Sequence, residues 1–525
     1  MQVAFRVDAS VDMGSGHVMR CLTLADELEA IGKTVTFITR AHNGHLAGLI
    51  GEHGYNVTLL SKSDKLSSLD SDHNAAAKML GVSWQQDAID TQNALKETAP
   101  EWLIVDHYSL DACWHKKLRK QVGNIFVIDD LANRLLDCDL LLDQTYGRNN
   151  EVYRAYVNKE CRILLGSHWA LLRSEFAKLR SKAACRRSKF SGIQRILVSV
   201  GGADPDNVTG TVLEGLATID WQAKMHIDIV LGSQSPHIQS VLSQAAKSPL
   251  KVTVTNDAKD MADRMLNADL AIGAGGTTSW ERCCLGLPAL ITACADNQKE
   301  VCRLLEQAGA AVLMPNSDEL THSHIVESMQ KIVDSPGLWQ KMSRNALKIA
   351  NGSGAKRVAL ELFPEVSVDG LPIRLRPAKY EDADILYLWQ SDPKTRRFFH
   401  NTAVPAYDEH VDWLKQRVNN VDVFTEIIMH GEEPAGVVRL DPVKALGTSS
   451  YLVSIYVSPD KYRLGLAKGA LKLLERIVPE KELRAEVNKG NIASHTLFKA
   501  VGFQCVSNTL YIKPAAFRVN CSDIK

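Results

Sequence analysis

The sequence predicts an α/β protein, with two doubly wound lobes followed by a smaller α+β domain. Three observations predict it. Between residues 1 and 180, short apolar runs alternate with helical stretches, as a parallel sheet requires. A second alternating set opens at 195–202, where a strand runs into Gly201-Gly202 and repeats the strand-to-glycine opening of the first. After Pro372 the strands read as antiparallel and the helices thin out.

In the first lobe (1–180) the expected strands are 3–7, 34–38, 57–60, 102–105, 125–128, 140–142 and 162–166. The stretch 180–192 is basic, polar and without clear periodicity, and is read as the crossing between lobes. The second lobe (181–365) carries expected strands at 195–200, 227–231, 252–254, 270–273 and 289–291. A linker at 366–372, with Gly370 and Pro372 as breakers, leads into the third domain, 373–525. There an initial strand (373–376), an amphipathic helix through Trp389, strands near 422–429 and 434–440 and a final αβ pair are expected.

The chain of 525 residues is long enough for several cores, with 45% hydrophobic and 23% charged residues. Basic and acidic residues balance at 61 each, which gives no reason to expect nucleic acid or an anionic membrane as partner. The absence of a long apolar run or a leader-like amino terminus points to a soluble, unexported, cytoplasmic protein. The eleven cysteines form no Cys-x-x-Cys pair, so neither a zinc site nor a disulfide framework is expected. Oligomeric state is not legible.

The chemistry-bearing stretches sit where strands end. Gly14-Ser15-Gly16-His17 follows the first strand and precedes a helical pattern from Val18. His17 would stand at a helix start, where the helix dipole disfavours imidazolium and keeps the ring able to accept a proton. A histidine that merely caps a helix is the alternative. Asp106-His107-Tyr108 and Asp129-Asp130 follow later strands, as catalytic groups or as loop and capping residues. Asp8, Asp12 and Asp106 are the carboxylates that could orient His17. In the second lobe, Gly275-Gly276-Thr277-Thr278 enters a helix bearing Glu281. Free amides there suit a phosphate and Glu281 suits a ribose. Thr278 and Glu281 also have the spacing of a capping box, which needs no ligand. Asn297 and Gln298 follow the next strand.

Thr278-x-x-Glu281, Gly286-Leu287-Pro288-Ala289-Leu290 and Asn297-Gln298 resemble the nucleotide-sugar half of glycosyltransferase-B proteins. They are similar in particular to the UDP-sugar lobe of the N-acetylglucosaminyl transferase of peptidoglycan synthesis. Phe5-Arg6-Val7-Asp8-Ala9-Ser10, Gly14-x-Gly16-His17, Ile104 to Tyr108, Ile128-Asp129-Asp130, Leu171-Leu172-Arg173-x-Glu175-Phe176 and Val200 to Asp204 add to it. Together they resemble the UDP-2,4-diacetamido-2,4,6-trideoxy-β-L-altropyranose hydrolases of pseudaminic acid biosynthesis. That resemblance covers roughly 1–365. It implies two Rossmann-like lobes of glycosyltransferase-B type and metal-independent hydrolysis of a UDP-sugar. His17 would activate water, with Tyr108 and Asn297 lining the sugar and diphosphate region. Glu281 would hold the ribose, and Gly14, Gly16, Gly202, Gly276, Thr277, Thr278 and Gln298 would complete the UDP-sugar site. Uracil contacts would come from 254–261. Transfer of the sugar to an acceptor, or a binding module that tethers the third domain to its substrate, are the competing readings.

In the third domain, Val457 ends a strand that leads through Arg463-Leu464-Gly465-Leu466-Ala467 into a helix. Asn491-x-x-Ser494-x-x-Leu497-Phe498 and Gly502-Phe503 follow. This resembles the GNAT acetyltransferase superfamily, which implies acetyl-CoA bound by Val457, Arg463 to Ala467, Asn491 and Ser494. Two positions depart from the superfamily's pattern. Tyr462 stands where Gln or Arg is usual, and Phe498 replaces the tyrosine that often protonates the leaving thiolate. Glu486 is the candidate for handling the amine's proton, or it faces solvent. Trp389 to Pro393 and Glu409-His410-x-x-Trp413 resemble the sugar-amine members of the superfamily, although helix packing explains both tryptophans as well. The fusion implies N-acetylation of a UDP-4-amino sugar followed by hydrolysis.

Overall fold

The computed structural model describes residues 1–62, 79–149, 151–202, 204–221, 224–232, 235–418, 423–443 and 450–516. Ala203 of the second-lobe motif, Asp422 of an expected strand and the carboxyl end from 517 lie outside the described residues. Two compact units are present, Met1–Ala355 and Lys356–Lys525.

The first unit holds two parallel sheets. In the first lobe these are β1 (Gln2–Val7), β2 (Thr34–Arg40), β3 (Asn56–Leu60), β4 (Trp102–Asp106), β5 (Asn124–Ile128), β6 (Leu140–Asp143) and β7 (Arg162–Leu165). Their order is β3-β2-β1-β4-β5-β6-β7, so the direction of progression reverses between β1 and β4. The second lobe contains β8 (Arg195–Ser199), β9 (His226–Leu231), β10 (Lys251–Asn256), β11 (Leu270–Ala274), β12 (Ala289–Thr292) and β13 (Ala311–Leu313). The order β10-β9-β8-β11-β12-β13 reverses between β8 and β11. Such reversals leave a crevice at the carboxyl ends of the two flanking strands. The glycine motifs at Gly14-x-Gly16, Gly201-Gly202 and Gly275-Gly276 follow three of those four strands, β1, β8 and β11. Buried apolar residues on β1, β4 and β5 (Val3, Phe5, Ile104, Phe126) hold the central strands rigid beneath the first crevice.

The stretch from Arg180 differs from expectation. It belongs to a helix, Ser174–Ser188, whose polar residues are structural. Arg180 donates to the carbonyls of Cys284, Leu347 and Ala350 at 2.8, 2.8 and 3.0 Å. Arg187 donates to those of Met265 and Ala268 at 2.7 and 2.6 Å. These carbonyls lie at the carboxyl ends of helices, where cations are favoured. Phe176 and Ala183 are its fully buried apolar side chains, and guanidiniums make the other inward contacts, so apolar periodicity is weak.

The second unit is built on one sheet of β14 (Glu365–Val366), β15 (Pro372–Pro377), β16 (Phe424–His430), β17 (Glu433–Val443), β18 (Ser450–Val457), β19 (Glu482–Glu486), β20 (Gln504–Cys505) and β21 (Leu510–Lys513). The order is β14-β15-β16-β17-β18-β19-β21-β20. Val366 pairs with Pro372, so the expected linker is a tight turn between two strands. Among the described residues only β18 and β19 of this sheet pair in parallel, through Ser450, Tyr451 and Leu452 against Glu482, Leu483 and Arg484. Beyond Leu452 the two strands part, which opens a V in the sheet.

Candidate functional site

At the first reversal, Ser10 and Gly14 close a turn in which the Gly14 amide donates to the Ser10 carbonyl at 2.8 Å. Gly14 has φ 75°, a conformation costly for any residue with a Cβ. The turn delivers the chain to a helix, Gly16–Ala30, of which His17 is the second residue. His17 Nδ1 lies 2.7 Å from Asp106 Oδ1 at the end of β4. Arg20, one turn along the helix, grips both oxygens of Asp106 at 2.6 Å through Nη2 and Nε. Of the three carboxylates that could orient His17, Asp106 is the one that does so. Asp8 is instead engaged by Arg6 at 2.6 Å, and Asp12 is exposed.

Burial alone would push the Asp106 carboxyl up; the Arg20 charge and the bonds from Arg20 and His17 outweigh it and hold it well below the usual range. An ionised carboxylate has no proton to give, so His17 Nδ1 carries the hydrogen of that bond, and in the neutral ring the lone pair is at Nε2. The Tyr108 ring packs edge-on against His17 at 4.8 Å between centroids. Its hydroxyl donates to Asp130 Oδ1 at 2.7 Å and accepts from Asn297 Nδ2 at 3.3 Å. Burial and the Asp130 charge raise the Tyr108 hydroxyl, so it stays a neutral donor. His17, Tyr108 and Asn297, expected from separate motifs in two lobes, thus converge. Arg20 and Asp130 were not singled out for these roles. The spacing of three from His17, which puts Arg20 on the same helix face, was the available signal.

At the second reversal the glycines divide by role. A Cβ on Gly275 would lie 2.2 Å from Cys302 Sγ, so this glycine serves helix packing. One on Gly276 meets only Gln298 Nε2, at 3.8 Å, and one on Gly16 meets nothing within 4 Å. A Cβ on Gly202 would meet only the hydroxyl of Ser15 in the other lobe, at 4.0 Å. Gly275→Ala is therefore expected to cost about 1–3 kcal/mol in urea unfolding, while Gly276→Ala leaves the midpoint unchanged.

The capping box that would have explained Thr278 and Glu281 without a ligand is not formed. The helix Thr278–Cys284 has Thr277 as N-cap, in helical conformation and without a side-chain bond. The amides of Ser279 and Trp280 donate to the carbonyls of Gly276 and Thr277 at 2.9 and 3.1 Å, which leaves the amides before them for another acceptor. Burial raises the Glu281 carboxyl, opposed by Arg173, whose Nη2 lies 3.5 Å from Glu281 Oε1. The Gln298 side chain turns back to accept from the Cys294 amide at 3.0 Å through Oε1. The 254–261 segment leaves β10 through Asp257, at φ 48°, and enters a helix at Met261. Among the described residues no group of three or more His, Cys, Asp or Glu is placed to hold a metal ion.

In the second unit, the loop after β18 places Arg463 at φ 67° and Gly465 at φ 80° before a helix, Leu466–Ile477. Gly465 is its N-cap and supplies no side chain, so the amides of Leu466 and Ala467 are left for another acceptor. The open V beside Val457 and these amides fit the extended thioester arm and the pyrophosphate of acetyl-CoA. Asn491 caps its own helix by accepting from the Ser494 amide at 3.1 Å, which places both residues at that helix's start. Phe498 is buried against Phe503 and Tyr511 and offers no hydroxyl. Glu486 is 54% exposed and lies 3.6 Å from His400 Nε2. Tyr462 is exposed, its hydroxyl 3.5 Å from Thr395 Oγ1.

Comparison with known proteins agrees with this division. Residues 195–359 match the glycosyltransferase family 28 C-terminal domain, and residues 373–504 match the acetyltransferase (GNAT) domain. The chain carries both domains. An uncharacterised protein of Methanocaldococcus jannaschii is 25% identical over 96% of this chain and 97% of its own. The UDP-2,4-diacetamido-2,4,6-trideoxy-β-L-altropyranose hydrolase of Campylobacter jejuni is 24% identical over 50% of this chain and 81% of its own. The crystal structure of Acinetobacter baumannii MurG superposes with a TM-score of 0.50 at 14% identity, covering 69% of this chain and 99% of that one. The two parallel-sheet lobes are thus of glycosyltransferase-B type, and the fold expected from the sequence is the fold observed. The GNAT domain implies use of acetyl-CoA. No helix among the described residues is long and apolar enough to cross a membrane.

Proposed function

We propose that the first unit hydrolyses a UDP-sugar of the 2,4-diacetamido-2,4,6-trideoxyhexose class and that the GNAT domain acetylates its 4-amino precursor. The observation that carries the hydrolase reading is the His17–Asp106–Arg20 arrangement with Nε2 left basic. Water held at Nε2 attacks the anomeric carbon and gives its proton to His17 as the bond to the diphosphate oxygen breaks. UDP departs with the electron pair. Asp106 steadies the imidazolium that forms, and Arg20 fixes Asp106. Asn297 and the neutral Tyr108 hydroxyl offer hydrogen bonds at the sugar and diphosphate. Glu281 accepts from the ribose hydroxyls, and the amides at Gly276 to Thr278 face the departing charge. The match to the hydrolase of Campylobacter jejuni supports the substrate class. Acetyl-CoA use supports a cytoplasmic setting.

The glycosyltransferase family 28 match favours a second reading, in which a sugar hydroxyl replaces water. The test follows UDP release from UDP-2,4-diacetamido-2,4,6-trideoxy-β-L-altropyranose with no acceptor present. Sustained turnover carries the hydrolase reading; release that requires an added acceptor carries the transferase. If Glu281 holds the ribose, Glu281→Gln raises KM about tenfold with kcat little changed, since that contact is made equally in ground and transition states. An unchanged KM removes Glu281 from the site.

A further inference from the structure

We infer that Arg396, Arg417 and Arg439 form an anion site on the acceptor side of the GNAT domain, suited to the diphosphate of a nucleotide-linked amine. The inference rests on the acetyltransferase reading above. The three residues come from different elements: a turn of helix at Pro393–Arg396, a helix Tyr407–Val418, and β17. Arg417 and Arg439 both approach Trp413, their guanidinium carbons 5.1 and 5.2 Å from its ring centroid. Arg396 lies over Phe399 at 4.9 Å, and Phe399 packs against Tyr456 of β18 at 5.8 Å between centroids. Arg439 faces Ser454 across the β17–β18 ladder, two residues from Tyr456 on the same face.

Among the described residues the three cations share one carboxylate, Asp441, which pairs with Arg417. Arg417 also donates to Thr425 Oγ1 at 2.9 Å, and Arg396 to the Ala403 carbonyl. Each arginine nevertheless keeps a buried nitrogen without a hydrogen-bond partner: Nε of Arg396, Nη2 of Arg417 and Nε of Arg439. Three cations drawn together with unsatisfied donors are costly unless an anion completes them. Burial lowers both Arg396 and Arg417, the direction expected for charges stripped of water without enough compensation. Guanidinium forks suit the paired oxygens of a diphosphate.

Position selects the acceptor rather than acetyl-CoA. The segment from Arg396 to His400 spans the V, with Phe399 against Tyr456 on β18 and His400 beside Glu486 on β19. The amides assigned to the acetyl-CoA pyrophosphate belong to another element, the start of the helix Leu466–Ile477. An acceptor held by its diphosphate over this segment presents its sugar amine to the mouth of the V.

The experiment uses the full chain and measures acetyl transfer to a UDP-4-amino-4,6-dideoxy sugar. Arg439→Gln and Arg396→Gln are expected to raise the acceptor KM about 10- to 100-fold. The acetyl-CoA KM should stay constant, which also reports an intact fold, and Arg439→Lys should recover part of the loss. An unchanged acceptor KM, or a rise in the acetyl-CoA KM instead, overturns the site. If wild type does not acetylate this sugar, the acceptor reading fails by itself, and hydrogen exchange of the full chain still decides the site. Protection of peptides from 391–400 and 411–418 by UDP and by inorganic pyrophosphate, but not by uridine, and lost in Arg439→Gln, supports it. No protection by either anion, or equal protection by uridine, overturns it.

Discussion

His17→Ala is expected to lower UDP release by about 10²- to 10⁴-fold, the range for loss of a positioned general base. KM for the UDP-sugar should change little, because in the proposed mechanism His17 acts on the attacking water and not on the nucleotide. Asp106→Asn gives the sharper test. The amide keeps the size of the carboxylate but removes the charge that steadies imidazolium, and it releases the double grip of Arg20. If His17 works through Nε2 with Nδ1 held by Asp106, Asp106→Asn approaches the His17→Ala loss and the two changes together cost no more than the larger one. Additive losses would mean that the two residues act separately. Full activity in His17→Ala would remove His17 from the role of base.

How much of this was legible depends on the range of the interaction involved. Strands such as 102–105 and 125–128 announce themselves because buried parallel strands are runs of Val, Ile, Leu and Phe, and each lies within an observed strand. Gly14-x-Gly16-His17 was legible as a strand-to-helix junction for the same local reason. Partner choice was not. That Asp106 and not Asp8 meets His17 depends on β1 and β4 being neighbours, with Val7 beside Asp106 in register. That register lies between strands 95 or more residues apart in sequence, where no periodicity reaches. The helix Ser174–Ser188 was not legible beyond Arg180 because Ala183 is its one buried apolar residue there, and Arg180 and Arg187 make the other inward contacts to carbonyls. Gly275 and Gly276 look identical in sequence; only Cys302 behind the first tells them apart. The arginines around Tyr456 lie in three separate elements and each reads singly as a solvated charge.

Arg6→Met is expected to destabilise the first unit by about 3–5 kcal/mol, the cost of stranding buried carboxylates. Arg6 is fully buried on β1 and bonds Asp8 at 2.6 Å and both oxygens of Asp87 at 2.6 and 3.2 Å. Arg40 Nη2 and Trp114 Nε1 complete Asp87 at 2.7 and 3.0 Å, and the Arg40 amide donates to Asp8 at 2.7 Å. Burial would raise both carboxyls, but the Arg6 charge and its hydrogen bonds, with help from Arg40 at Asp87 and from His42 and His107 at Asp8, hold them low. The sign of the pH dependence follows. A carboxylate depressed in the folded state contributes its stability in full above its unfolded pKa of about 3.9, and loses it as pH falls through the folded value. In Arg6→Met the depression is largely removed, so that contribution is missing at neutral pH and has little left to lose in acid. The gap between wild type and variant, read from urea midpoints, should therefore be widest near pH 7 and narrow below about pH 4. A gap of constant size across that range would assign the loss to packing around the Arg6 side chain and not to its charge. Because Asp8 and Asp106 close adjacent strands, the same variant should lose UDP release before it unfolds. The network beneath β1 is what keeps the ends of β1 and β4, and with them His17 and Asp106, in register.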